Sequence, residues 1–236
     1  MPKKDKKLKT EQMMKVQIGH LGIIEIGHKT EIGKVSQVIE MGNEILPRSR
    51  SFNRARAQAA LERRQVKLHL ETSVTAVTES QVQLANGTVL RHDGLIWSAG
   101  SRPSLPPLTP PSTVERTGLS ITADLRVCGQ TNVFAVGDSA HHREAPWPAT
   151  AQVAMQQGEA VAAALAAMAT GQEPEPFSFQ DRGEMLSLGI GDATLTGLGV
   201  TLAGPLAFKL RRATYLTRLP DLSLGLRSAG AWLLNR

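Results

Sequence analysis

The sequence predicts an α/β fold with an antiparallel insert. Three observations carry that expectation. Short apolar runs of strand type, such as Val35–Ile39 and Gly94–Ser98, alternate with stretches of helical periodicity, Ser51–Arg64 first among them. Two such runs end in glycine-containing turns, Ala99-Gly100 and Gly137-Asp138. Ahead of them Asn86-Gly87 separates Val82–Leu84 from Val89–Leu90, a strong hairpin signal. Alternating strands and helices call for a sheet covered by helices, and the hairpin for an antiparallel piece set into it.

Taken in order, Met1–Lys15 is polar, lysine-rich and aperiodic, the pattern of a flexible arm. Val16–Glu25 reads as a short strand turning through Gly19 and Gly22 into a helix, which Gly27 and Gly33 then interrupt. Val35–Ile39 is the next strand and places Glu40 at its end. Ser51–Arg64 is a helix with Ser51 as its N-cap and Ala57, Ala60 and Leu61 on one face. Val66–Leu70 and Ser73–Val77 are short strands, the hairpin follows, and Gly94–Ser98 is a strand of buried type. Five of the 13 prolines fall in Pro103–Pro111, a density no regular element survives, so the chain crosses here between lobes. Beyond it Leu125–Val127 and Val133–Val136 are short strands, and Ala149–Met168 is a long Ala-rich helix stopped near Gly171 and Pro174. Leu186–Leu202 is rich in Gly and β-formers, and the stretch from Pro205 reads as two helical pieces broken at Pro220.

Of the 236 residues 41% are apolar, which excludes disorder over the whole length. The one cysteine, Cys128, excludes a disulfide framework and an intrachain CxxC redox centre, and fits a reducing compartment. No run of transmembrane length is both apolar and uncharged, and no apolar segment of the secretory type follows the basic start. The net charge of +6 is unevenly spread. Residues 1–15 carry six Lys against Asp5 and Glu11, and residues 204–236 carry six Lys and Arg against Asp221 alone, so the body between them is mildly acidic. That distribution, with nine aromatic residues in all, argues against a nucleic-acid partner.

Several residues carry candidate chemistry. Gly19-x-x-Gly22 matches the end of a dinucleotide fingerprint, whose glycines let the backbone approach a pyrophosphate, although Gln17 stands where the first glycine belongs. Glu40, 18 residues past Gly22, is where an acid would take ribose hydroxyls; the alternative is a tight turn with an exposed glutamate. Val133–Asp138 would set the Asp138 carboxylate at a sheet edge to accept bonds from a polyol chain, or as an N-cap for the turn that follows. Gln152 and Gln156, four apart, share a helix face, either to meet a neutral polar ring or carbonyl or simply to face solvent. Adjacent His141 and His142 point apart and have no third ligand nearby, so no metal site is expected. No Gly-x-Ser-x-Gly elbow is present, and Cys128 has no motif pairing it with a histidine, so no catalytic nucleophile is assigned.

The last segment repeats one pattern twice. Leu206, Leu210 and Ala213 form a stripe beside Lys209, Arg211 and Arg212, and Leu222, Leu226, Ala229 and Leu233 form another near Trp232, Arg227 and Arg236. Apolar stripes bordered by Arg suit helices lying in a membrane interface, or docking on the protein's own body or a second subunit.

Ile45-Leu46-Pro47 with its helix, Trp97-Ser98-Ala99-Gly100, Val133–Ala140 and Ala151-Gln152-x-x-x-Gln156-Gln157-Gly158 follow one another in a set order. That order resembles type II NADH dehydrogenases, the NADH:quinone oxidoreductases of the flavoprotein class with two dinucleotide-binding domains. The likeness runs from about Val16 to the C-terminus. It implies a Rossmann-like NAD(H)-binding domain with an antiparallel hairpin insert, part of an FAD-binding domain, and C-terminal amphipathic helices. The implied boundaries are an arm at 1–15, an NADH domain at 16–112, a C-terminal segment of the FAD domain at 113–175, and strands with a membrane-associating tail at 176–236. By the same resemblance Gly19, Gly22, Glu40, Ala99 and Gly100 line the NADH site, while Gly137, Asp138, Ala151 and Gln152 meet FAD. Gln152 and Gln156 face the quinone, and the enzyme is peripheral on the cytoplasmic side of a membrane. The family begins with a glycine-rich βαβ unit that grips the ADP half of FAD, and no equivalent precedes Val16. The expectation is therefore the NADH-to-tail portion of such an enzyme, as a homodimer or completed by a partner chain. The alternative is a non-catalytic, membrane-associated remnant or binding module.

Overall fold

The structure is a computed structural model, and it describes residues 24–27, 35–100, 103–109, 114–115 and 118–234. The Lys-rich arm lies outside the described residues, as do Gly19 and Gly22. The chain divides into two compact units, Met1–Gly100 with Arg182–Arg236, and Ser101–Asp181.

The first unit opens with β1 (Ile24–Gly27), β2 (Val35–Ile39), α1 (Ser51–Arg63) and β3 (Lys67–His69). It continues through β4 (Val74–Val77), β5 (Gln81–Leu84), β6 (Val89–Arg91) and β7 (Gly94–Trp97). One sheet has the order β3-β2-β1-β7, with β3 parallel to β2 and β1 antiparallel to both of its neighbours. The helix expected after Gly22 is thus a strand at its described part: isoleucines alternate with Glu25, and β-branched residues in alternation favour the pleated backbone. The second sheet, β4-β5-β6, is the antiparallel insert, and its hairpin turns at Asn86-Gly87. The inward residues of β5, Val82 and Leu84, are almost fully buried and pack with Ile39, Val74, Leu90 and Leu95 between the two sheets.

The second unit holds β8 (Val114–Glu115), β9 (Gly118–Ile121), a 3-10 turn at Gly137–Ser139, β10 (Ala140–His142) and α2 (Ala151–Ala169). β9 pairs with β10 in parallel and with β8 antiparallel. The strands expected at Leu125–Val127 and Val133–Val136 are joined only by isolated bridges, Ile121 to Val127 and Arg126 to Phe134. Leu125, at φ +70°, bends the chain out of strand geometry there. Leu119, Ile121, Leu125, Val127 and Ala135 form the core, with Phe134, Val161 and Phe177 packed around it.

The chain then returns to the first unit with β11 (Glu184–Gly189), β12 (Asp192–Gly197), β13 (Val200–Ala203), α3 (Pro205–Leu216) and α4 (Leu222–Leu234). The three strands form an antiparallel sheet in chain order. Helix α1 packs against β11 and β12, and α3 against β12 and β13. Consecutive residues Ala193 and Thr194 are both 0% exposed; side chains alternate along a strand, so both faces of β12 are covered. The α1 docking is in step with the hairpin. Asn53 bonds to Glu184 and Thr196, which pair across it, and ten residues on Arg63 meets Asp192 at 3.1 Å at the other end. Arg50 rather than Ser51 holds the N-cap position, and Ser51 is exposed; Glu184, from the sheet, sits at the helix start instead.

Candidate functional site

Strand directions bring Glu40 together with Ala99 and Gly100 in the first unit. Because β1 runs against both β2 and β7, those two run the same way, and β3 runs with β2. Their carboxyl ends share one edge, the place where open α/β sheets bind ligands. Ile24 pairs with Ile39 on one side and Trp97 on the other, so Glu40 and Ser98 stand two strand spacings apart, about 10 Å. Ala99 and Gly100 follow at once, and Gly100 turns the chain with φ +84°.

Glu40 is 4% exposed, so it is not the solvated glutamate of the alternative reading. Its Oε1 accepts the Gly42 N–H at 2.9 Å, its own N–H donates to His69 O, and its carbonyl accepts from Thr72 N–H. A carboxylate has about four acceptor positions, so this turn leaves it capacity for a diol. His69, on the same edge, has its pKa lowered by burial and by Lys67, and its Nε2 lies 2.9 Å from Gln37 Oε1. Exposed Ile96 and Trp97 give the β7 side of this edge an apolar rim.

In the second unit Gly137 has φ +60°, and a Cβ there would lie 3.1 Å from the Ala154 Cβ of α2. Glycine thus permits both the turn and the close approach of the helix. The approach sets Asp138, exposed in the 3-10 turn, beside the start of α2, where Ala151 and Gln152 lie. The 3-10 turn has Val136 at its N-cap with no side-chain bond, and α2 has Thr150, whose Oγ1 accepts from Val153 N–H at 3.3 Å, so Asp138 caps neither.

Gln156 is engaged elsewhere. Its amide donates to Gln180 O at 2.9 Å and accepts from Gln180 N–H at 3.0 Å, clamping the extended segment before β11. Its neighbour Gln157, absent from the sequence-predicted site residues, is 2% exposed and accepts the Gly137 N–H at 2.6 Å. A signal for it was present: Val153, Gln157, Ala160 and Ala164 follow one helical stripe, and a lone amide in an apolar stripe marks a buried bond. The same unit contains a cleft of about 430 Å³ lined by Thr122, Asp124, Arg126, Cys128, Pro174 and Pro176, which holds none of the predicted site residues. Burial pushes the Asp124 carboxyl up, but bonds from Thr122 and Arg126 outweigh it and hold its pKa below the usual range.

The family model for pyridine nucleotide-disulphide oxidoreductases matches residues 19–158, more than half of the chain. The chain belongs to that family. Among curated members, demethylphylloquinone reductase NdbB of Synechocystis is 39% identical over 221 residues, covering 87% of this chain and 54% of that one. A type II NADH:quinone oxidoreductase of Staphylococcus aureus is 32% identical over 178 residues, covering 70% of this chain and 41% of the relative. The chain thus spans about half the length of the curated relatives it matches. The structure of NDH2 from Plasmodium falciparum in complex with NADH superposes with a TM-score of 0.61 at 12% identity, over 79% of this chain and 55% of that one, a likeness of fold. The α/β architecture with an antiparallel insert is therefore that of the family.

Proposed function

We propose that this family member passes electrons from NADH through FAD to a quinone at a membrane surface. The observation that carries the reading is the common edge of Glu40 and Ser98–Gly100, a buried acid and a glycine turn about 10 Å apart, which suits an adenosine ribose and the chain beyond it. We assign residues 16–112 to NADH and 113–175 to the C-terminal segment of an FAD domain, in a homodimer or with a partner chain. FAD, when bound, supplies the two-electron chemistry between nicotinamide and quinone. The residues' own tasks are orientation and polarity. Glu40 accepts ribose hydroxyls and repels a 2′-phosphate, which favours NADH over NADPH. Asp138 accepts from the ribityl chain, Gly137 lets α2 come close, and Ala151 and Gln152 border the ring, with Gln152, and the donor and acceptor positions that Gln180 leaves on Gln156, toward the quinone.

Glu40→Ala is expected to raise the NADH dissociation constant about tenfold, corresponding to one lost charge-assisted interaction of about 1.4 kcal/mol. Fluorescence titration of the purified chain measures this. The full reading is tested by adding a polypeptide that carries a glycine-rich FAD-binding βαβ unit and following flavin absorbance and NADH-driven quinone reduction. A preparation that stays colourless and inactive under every such condition sinks the enzyme reading and leaves the non-catalytic module.

We place the chain peripherally, on the cytoplasmic face of a membrane, through α3 and α4. Among the described residues no helix is long and apolar enough to cross a membrane. The apolar stripes face outward instead: Leu206, Leu210, Leu222 and Leu226 are exposed, while Ala207 packs on the sheet. Arg212 stacks on Trp232 at 4.0 Å, and Arg211 and Arg218 flank Tyr215, which orders cations beside that surface. Inserting a leucine contributes about 1.5–3 kcal/mol, so Leu206→Glu with Leu226→Glu should weaken binding to anionic vesicles at least tenfold. Equal co-sedimentation of variant and wild type would refute the membrane assignment.

A further inference from the structure

We propose that Glu184 is a positioning residue for the nucleotide edge: through it the C-terminal sheet fixes the segment that leads from Glu40 into α1. The proposal rests on the reading of Glu40 as the ribose acid, although the coupling itself can be measured without nucleotide.

The segment is anchored at both ends. At its start Gly42 N–H donates to Glu40 Oε1 and Glu71 N–H to Gly42 O, both at 2.9 Å. At its end the Glu184 carboxylate accepts from Ser49 Oγ at 2.5 Å, Arg50 N–H at 2.9 Å and Asn53 Nδ2 at 2.8 Å. Asn53 is 0% exposed and accepts in turn from Thr196 Oγ1 at 2.7 Å, so the β11–β12 hairpin grips the helix start with two of its residues. A carboxylate there also meets the positive end of the α1 dipole.

Between the anchors the backbone is strained. Leu46 has φ +50°, a conformation that a residue with a Cβ holds only where its surroundings over-determine it. Buried Ile45 on one side, and Ser49 N–H donating to Leu46 O at 2.9 Å on the other, supply part of that hold. Arg54, which donates to Ser49 O at 3.3 Å and pairs with Glu44, supplies a second part, and Glu184 a third by fixing Ser49 and Arg50. Without its three accepted bonds Leu46 can leave the left-handed region. The chain from there to Gly42 is four residues long, so the relaxation reaches the Glu40 turn.

Glu184→Ala and Glu184→Gln are compared with wild type in the full chain, well below melting, by amide hydrogen exchange without nucleotide and by NADH titration. Glu62→Ala, on the exposed side of α1 where Glu62 meets Gln58, is the control. For Glu184→Ala, exchange is expected to accelerate about tenfold at residues 45–54 and at the amides of Gly42, Glu71 and Thr72, with the β4–β6 sheet unchanged. The NADH dissociation constant should rise about fivefold. Glu184→Gln, which keeps one acceptor oxygen for Ser49 or Arg50, should recover part of both effects. Unchanged protection at Gly42, Glu71 and Thr72, or acceleration spread evenly over the unit, overturns the coupling. If wild type has no NADH affinity, the nucleotide reading falls, while the local exchange pattern still decides whether Glu184 holds the Glu40 turn. If Glu40→Ala weakens NADH and Glu184→Ala does not, the positioning role is wrong and the ribose assignment stands.

Discussion

Gly118→Ala is expected to destabilise the second unit by more than about 3 kcal/mol, seen as a loss of its cooperative thermal transition. A Cβ at this position would lie 2.7 Å from Ser139 O, 2.8 Å from Ser139 C and 3.0 Å from Ala140 N. These are backbone atoms, so no rotamer change relieves the clash. Gly118 also has φ +150°, a region that residues with a Cβ rarely enter. Relief requires β9 to move off β10, from which Leu119, paired with Ala140, and Ile121 enter the core. On the proposed flavin assignment the damage extends to the site, because Ser139 closes the turn that presents Asp138. Any flavin retained by wild type should be lost. Gly158→Ala in α2 is the contrasting case, since nothing lies within 4 Å of its Cβ. Alanine in a helix interior is better than glycine by about 0.5–1 kcal/mol, so this second variant should melt higher than wild type. Similar melting behaviour of the two variants would show that the close contact at Ser139 does not exist.

The contrast between these two glycines also explains what the sequence could and could not reveal. Gly158 sits in an Ala-rich periodic stretch, where the helix is announced by local composition. Nothing near Gly118 announces that residue 139 will press against it. The same division runs through the rest of the molecule. The Asn86-Gly87 hairpin, α1, α2 and the two C-terminal helices follow from turn chemistry and from a period of 3.6, which are properties of neighbouring residues. Glu40 and Ala99-Gly100 were legible for the same reason, since an acid or a glycine just past an apolar strand is a local pattern. Ser51 as N-cap failed because the group at the start of α1 is Glu184, more than 130 residues away. Ile24–Gly27 was read as the start of a helix because glycines before it suggested a nucleotide-binding turn; its alternating isoleucines were the better guide. Gln156 was paired with Gln152 by helical spacing, yet its partner is the backbone of Gln180, which no spacing indicates.

Gln157→Leu should cost about 2–3 kcal/mol and should do so chiefly at the Gly137 turn. The two side chains are similar in size, so little cavity is created, and the loss is that of a hydrogen-bond acceptor. Gly137 N–H donates to Gln157 Oε1 at 2.6 Å, at a position where Gln157 is 2% exposed. Leucine leaves that N–H buried without its partner, and an unpaired buried donor costs about 1–3 kcal/mol. The φ of +60° at Gly137 adds leverage, because a flexible glycine that loses its tether has other conformations close in energy. Exchange of the Gly137 amide should therefore accelerate by one to two orders of magnitude while the amides of β9 hold their protection, a local opening rather than a global one. The turn also carries Asp138, so flavin retention should fall in the same variant even though the fold persists. Wild-type protection at Gly137 in Gln157→Leu would mean that the packing of Ala154 alone holds the turn. Loss of protection with unchanged flavin affinity would move the flavin contact away from Asp138. The two readouts separate because the bond to Gln157 acts on the backbone of Gly137, whereas a ligand would be held by the carboxylate that follows it.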